Sequence, residues 1–208
     1  MTPIEFFSWL TDPNGLMGML ADNWILGTAI VALVIFAETG FVVLPFLPGD
    51  SLLFATGAFL GIGGVNPLIS VVVLILAAIV GDAINYSTGR SKMFGERLAK
   101  RINPEHIQQA HDYFERYGAM TVVVARFIPI VRTVVPFVAG LSHMSRTTFF
   151  TYNIVGGVLW AGGLTLAGYF LGAIPWVQEN LHWVSVIIIV LSVAPLVPKV
   201  LSWLRKKS

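Results

Sequence analysis

Four long apolar runs dominate the pattern of this chain: residues 24–37 with their flanks, 68–85, 149–171 and 183–204. A helix that crosses a bilayer takes about 20 mostly apolar residues, so each run predicts a spanning helix. Pro195 and Pro198 interrupt the fourth and predict a kink or an early end there. Trp24, Trp176, Trp183 and Trp203 fall near the ends of the runs, where aromatic anchors sit at the membrane–water boundary. Core packing explains any one of them equally well.

Two further apolar stretches, 41–59 and 121–140, are broken by proline and glycine. The first carries Leu44-Pro45 and Leu47-Pro48-Gly49-Asp50, the second Phe127-Ile128-Pro129 and Val135-Pro136. Irregular backbone at membrane depth survives only where protein or a water-filled cavity satisfies its polar groups. Both stretches therefore predict re-entrant hairpins, shaped by Pro48 and Gly49 in one and by Pro129 and Pro136 in the other. The one long polar segment, 91–118, has Ile107, Ala110, Phe114 and Tyr117 at helical spacing, opposite Glu105, Gln108, Asp112 and Glu115. It predicts an amphipathic helix with Pro104 in its first turn, lying on the cytoplasmic membrane surface or packed on the second hairpin. Residues 1–23 lack the basic start of a secretory signal and predict a short interfacial helix at 3–10.

Charge orients the pattern. No lysine or arginine precedes Arg90. Arg90, Lys92, Arg97, Lys100, Arg101 and Arg116 then cluster in one loop, and Lys199, Arg205, Lys206 and Lys207 close the chain. The positive-inside rule puts both segments, and with four spans both termini, in the cytoplasm. The expected fold is an all-α integral membrane protein of about four transmembrane helices plus two opposed re-entrant helical hairpins. It forms a single membrane domain, 1–208. Units 24–88 and 119–172 echo each other: Phe46-Leu47-Pro48 and Phe127-Ile128-Pro129 each open a short apolar run ending in small residues. Entering from opposite faces, they would form an inverted repeat, a design in which transporters place the substrate where broken helices meet.

Composition agrees: of 208 residues 56% are apolar and 12% charged, with mean hydropathy +0.79, where soluble domains carry about 25% charge. Cysteine is absent, which removes disulfides and thiolate chemistry.

Against this background Glu38, Asp50, Arg126 and Arg132 stand out inside apolar stretches. Each would cost about 2.5–3.5 kcal/mol at the centre of a spanning helix, so roughly 10–14 kcal/mol for four left unpaired. Two acids facing two bases would remove most of that. Salt bridges that only hold the hairpins, or acids reaching water at helix ends, are the bland alternatives. Asp82 and Asn153 are candidates for a supporting role, Asp82 as a partner of Arg90, and Trp160 for packing. An arginine fork binds phosphate or carboxylate oxygens in pairs, while carboxylates in a low-dielectric site can take up protons. Anion binding at the arginines would free the acids to be protonated, coupling substrate to proton; transport indifferent to an imposed proton gradient would contradict this.

The residues Glu38-Thr39-Gly40, Phe46-Leu47-Pro48-Gly49-Asp50-Ser51, Gly81-Asp82-Ala83-Ile84-Asn85-Tyr86 and Ala125-Arg126-Phe127-Ile128-Pro129-Ile130-Val131-Arg132-Thr133, followed by Asn153, Gly156 and Trp160, closely resemble the DedA family over residues 24–172. That resemblance implies a bacterial inner-membrane protein with two opposed hairpins, related to eukaryotic VTT-domain lipid scramblases. It also implies transport dependent on the proton motive force, a part in envelope homeostasis, and, for some members, return of undecaprenyl phosphate across the membrane. The family's functional acids match Glu38 and Asp50, and its functional arginines match Arg126 and Arg132.

The expected function is a flippase or scramblase of an anionic lipid phosphate, undecaprenyl phosphate or a phospholipid, with proton coupling. The alternative is a proton-coupled antiporter of a small cation or drug. An enzyme is not expected: His106, His111, His143 and His182 are scattered and no G-x-S-x-G elbow exists. The expected partners are membrane lipids and protons, with no metal, cofactor or nucleic acid. Homo-oligomerisation stays open.

Overall fold

A computed structural model describes residues 23–41 and 49–176. The expected interfacial helix at 3–10, the part of hairpin 41–59 that holds Pro48, and the expected span 183–204 lie outside the described residues. Among the described residues every regular element is helical. The elements are α1 (Trp24–Gly40), α2 (Gly49–Ile62), α3 (Leu68–Arg90), a short α4 (Gly95–Ala99) and the amphipathic α5 (Pro104–Tyr117). A one-turn α6 (Thr121–Val124), α7 (Pro129–Leu141), α8 (Arg146–Gly157) and α9 (Gly163–Gly172) follow, with a π-helical turn, Val158–Gly162, between the last two. Two helical stretches, Leu68–Arg90 and Arg146–Gly172, are long and apolar enough to cross a membrane.

The chain divides into two compact units. One takes the described parts of Thr28–Leu47 and Leu68–Leu164, the other those of Met1–Gly27, Pro48–Pro67 and Thr165–Ser208.

Local chemistry sets the boundaries. The Asn103 side chain accepts from the Glu105 N–H at 3.0 Å and Pro104 opens α5, satisfying donors that a helix start leaves free. Gly118 ends α5 with φ of +55°, a conformation that glycine adopts without penalty. Ser145 caps α8 through the Thr148 N–H. Between α6 and α7 the chain passes through a 3-10 turn, Ala125–Phe127, and Ile128 turns extended at φ −120°, ψ 105°. A residue before proline is pushed out of the α region, so Phe127-Ile128-Pro129 breaks the helix where the sequence placed a break. Pro136 does not act likewise: it lies inside an unbroken α7. It offers no N–H to the carbonyl one turn back, but residues 131–140 are buried on every side, and packing against α3 and α5 overrides the local penalty.

α3 is built inside out. Ile69, Val72, Leu76, Val80 and Ile84 line an exposed face, while Ser70, Ala78, Gly81, Asp82, Asn85 and Gly89 point inward. Large aliphatics outside, with small and polar residues beside Val71, Leu74 and Tyr86 inside, suit lipid as the solvent, since water-exposed proteins rarely display so continuous an apolar stripe. The small residues let backbones meet: a Cβ on Gly89 would strike the Phe137 carbonyl of α7, and one on Gly140 the Tyr86 carbonyl of α3. α5 packs Ile107, Ala110 and Phe114 onto the α7 core, so of its two expected positions it takes the one against the second broken stretch. Within the other unit, Gly57 and Gly61 on α2 meet the backbone of Thr165 and Tyr169, and Gly168 and Gly172 meet that of Phe54 and Ala58. These are reciprocal small-xxx-small contacts of the membrane-helix kind.

Candidate functional site

Three of the four charged residues singled out from the sequence stand in one unit, on three separate elements. α1 runs on to Gly40, beyond the expected end at 37, and so carries Glu38 on its inner face, fully buried. The broken segment after α6 carries Arg126, and the first turns of α7 carry Arg132; they are 3% and 7% exposed. Arg132 Nη2 pairs with Glu38 Oε1. Arg126 Nη2 pairs with Asp82 Oδ2 at 2.5 Å and also donates to Asn153 Oδ1 at 2.5 Å. Asn153 is fixed in turn, its Nδ2 donating to the Ile79 carbonyl at 3.0 Å. Two acids do face two bases, but the second acid is Asp82. Asp50, the one expected, stands in the first turn of α2, half-buried, in the other unit.

The pairing of Asp82 with Arg126 corrects its expected pairing with Arg90. Arg90 instead donates to the Tyr86 hydroxyl and the Met144 carbonyl, each at 2.9 Å. About two turns of α3 separate Asp82 from Arg90. Asp82 sits at Gly81-Asp82, on the face that α3 turns to the interior, whereas Arg90 ends the helix beside the α7–α8 connection.

Three further residues shape the site. Trp160, 1% exposed, lies with its ring centroid 5.2 Å from the Arg132 guanidinium carbon and 5.8 Å from that of Arg126. Asn85, fully buried, donates to the Thr39 carbonyl at 3.2 Å and the Thr133 carbonyl at 2.7 Å. It thereby ties together the backbone next to Glu38 and the backbone next to Arg132. Gly156 makes room for Arg126: a Cβ there would lie 2.8 Å from Arg126 Cδ. Nε and Nη1 of Arg126 are buried with no hydrogen-bond partner among the described residues. Chemically the arrangement holds two permanent cations, each balanced by one carboxylate, with the donors of one cation incompletely used. Among the described residues no three of His, Asp and Glu stand together to hold a metal ion.

A family model of the VTT domain matches residues 47–170. Protein DedA of Escherichia coli K12 is 46% identical over 184 residues, which cover 85% of this chain and 83% of that one. The chain belongs to the DedA family. Another of its DedA relatives is an uncharacterized membrane protein of Mycobacterium tuberculosis H37Rv, 38% identical over 188 residues, 86% of this chain and 82% of that one. The inner membrane protein YghB of Escherichia coli K12 is 32% identical over 181 residues, 84% and 82% of the two chains. No solved structure matches. Within this DedA protein the VTT match takes in Asp50, Asp82, Arg126, Arg132, Asn153 and Trp160, while Glu38 precedes it.

The residues that sequence reasoning undervalued had a readable signal in part. Asp82 and Asn85, three apart, share the small-residue face of α3 with Ala78 and Gly89, so a helical projection turns both inward. Nothing comparable marks Trp160. The π turn Val158–Gly162 shifts the helix by one residue, about 100° of rotation, and thereby decides which side chains of the last segment face the arginines.

Proposed function

We propose that this protein is a multi-pass transporter of the bacterial inner membrane that moves an anionic lipid phosphate, undecaprenyl phosphate or a phospholipid, between leaflets. The observation that carries the proposal is the pair of arginines, buried beside one tryptophan behind apolar outward faces, with Nε and Nη1 of Arg126 without a hydrogen-bond partner among the described residues. A phosphate group suits the paired, planar donors of a guanidinium fork, and its lipid tail would keep to the apolar outer faces. When the phosphate takes an arginine, the displaced carboxylate, Asp82 or Glu38, is left without its counter-charge and takes up a proton. Proton and substrate would then move in linked steps.

The names of the relatives YghB and YqjA as inner membrane proteins support the location. The helix broken at Ile128 supports a re-entrant second hairpin, in a scaffold of about four spans with two hairpins entering from opposite faces, as an inverted repeat, and both termini cytoplasmic. Asp50, in the first turn of α2, is proposed as a further substrate- or proton-binding residue, carried by the first hairpin. The chain acts as a carrier rather than an enzyme.

The experiment reconstitutes the purified protein in liposomes and follows undecaprenyl phosphate between leaflets for wild type and Arg132→Ala, with equal folding verified. Movement by wild type and none by the variant is expected. No movement under any proton gradient would sink the lipid proposal. Exchange of a small cation that survives loss of the arginines and fails with Glu38→Gln or Asp50→Asn would favour the antiporter.

A further inference from the structure

Trp160 lies against both cations of the site. Its ring lies 5.8 Å from the Arg126 guanidinium and 5.2 Å from that of Arg132. Arg126 is paired with Asp82 and bound to Asn153, and Arg132 is paired with Glu38. We infer that Trp160 is a positioning residue that joins Arg126 and Arg132 into one receptor for a single phosphate-bearing anion, a deepening that rests on the lipid-phosphate reading above.

Three observations bear on this. The indole is 1% exposed, so its attraction for a guanidinium is that of a desolvated site, the strong end of the cation–π range. It stands in the middle of a π-helical turn, Val158–Gly162; such turns interrupt otherwise regular helices mostly where function asks for a particular side-chain direction. And the flanking helix is cut away on the same side: Gly156 leaves room for the Arg126 stem, since a Cβ there would lie 2.8 Å from Arg126 Cδ. An anion that draws the arginines away from Asp82 and Glu38 removes their counter-charges. The ring face does not leave with the carboxylates, and so keeps both forks in place through the exchange of partners. Nε and Nη1 of Arg126, buried and without a hydrogen-bond partner among the described residues, are donors left for the incoming oxygens.

The test uses the full chain in detergent micelles with dodecyl phosphate as probe. Affinity is measured by calorimetry, and Trp160 is replaced site-specifically by tryptophans of increasing fluorine content, then by Phe and by Leu. Fluorination withdraws electron density from the ring face with little change of shape, so folding is preserved and a purely packing role would leave affinity flat. The expected result is one anion per chain, affinity falling in step with fluorine number, and a roughly ten- to thirtyfold loss for Trp160→Leu. Arg126→Gln and Arg132→Gln are expected to be strongly non-additive in the wild-type background, because both break the same receptor. Wild type that binds the probe with flat affinity across the fluorinated series would overturn the role of Trp160 and leave the lipid-phosphate reading standing. Wild type that does not bind dodecyl phosphate at all would overturn both.

Discussion

The two buried ion pairs use the same chemical groups and are supported differently. Glu38–Arg132 joins α1 to α7, and Asn85 braces it through the backbone on either side. Asp82–Arg126 joins α3 to the broken segment before α7, and Asn153 braces it through the side chain, binding the guanidinium itself. Asn153 thus binds the cation of its pair directly, whereas Asn85 grips only backbone. A guanidinium shared between a carboxylate and a neutral amide keeps a ligand when the carboxylate leaves, so Arg126 is prepared to change partners.

Substitutions can break or sharpen this contrast. The largest effects come from leaving one charge behind. Asp82→Asn, Arg126→Gln, Glu38→Gln or Arg132→Gln alone should each lower stability by about 3–5 kcal/mol. The doubles Asp82→Asn/Arg126→Gln and Glu38→Gln/Arg132→Gln should recover most of it, and the cross-pair doubles much less. Denaturant titration in detergent reads the difference; equal recovery by same-pair and cross-pair doubles would mean that the four charges form one pool rather than two pairs.

Asn153→Leu should come next, at about 1.5–3 kcal/mol, because it removes a hydrogen bond to a buried charge, together with the bond to the Ile79 carbonyl. Gly156→Ala should cost about 1–2 kcal/mol by pressing a methyl group on the Arg126 stem. If the pairs are separate, combining it with Glu38→Gln/Arg132→Gln should give an additive loss, and a double-mutant cycle checks this. The smallest effect is expected on the outer face: Leu76→Ala should change stability by no more than about 0.5 kcal/mol, while Leu74→Ala, fully buried on the opposite face, should cost about 2–5 kcal/mol. A large loss at Leu76 would show that protein, as in a homo-oligomer, covers that face instead of lipid.

Much of this was legible from the order of residues alone. The penalty for charge in an apolar run picked out Glu38, Arg126 and Arg132 without any knowledge of their partners, and Ile128-Pro129 announced the break between α6 and α7. The partners were less legible. Which acid meets which arginine depends on the register of helix crossings, set by backbone contacts such as Gly89 on Phe137 and Gly140 on Tyr86, and no local pattern encodes a crossing. Asp82 falls three residues from the end of the apolar run 68–85, within reach of Arg90 along the chain; α3 runs on to Arg90 and keeps Asp82 on its buried face. Pro136 misled for the opposite reason, since a proline signals a break only where packing does not hold the helix straight. Trp160 needed the π turn, which arises from packing and has no sequence signature of its own.

The central claim is that the paired charges carry a phosphate and do more than hold the helices. The most direct measurement compares wild type with Asp82→Asn/Arg126→Gln, in which no buried charge is left unpaired, in the same liposomes with undecaprenyl phosphate as cargo. The account predicts a double variant that unfolds at close to the wild-type denaturant concentration and moves no lipid phosphate. A double variant that is equally stable and still moves it at the wild-type rate would contradict the account and leave the Asp82–Arg126 pair a structural fastening.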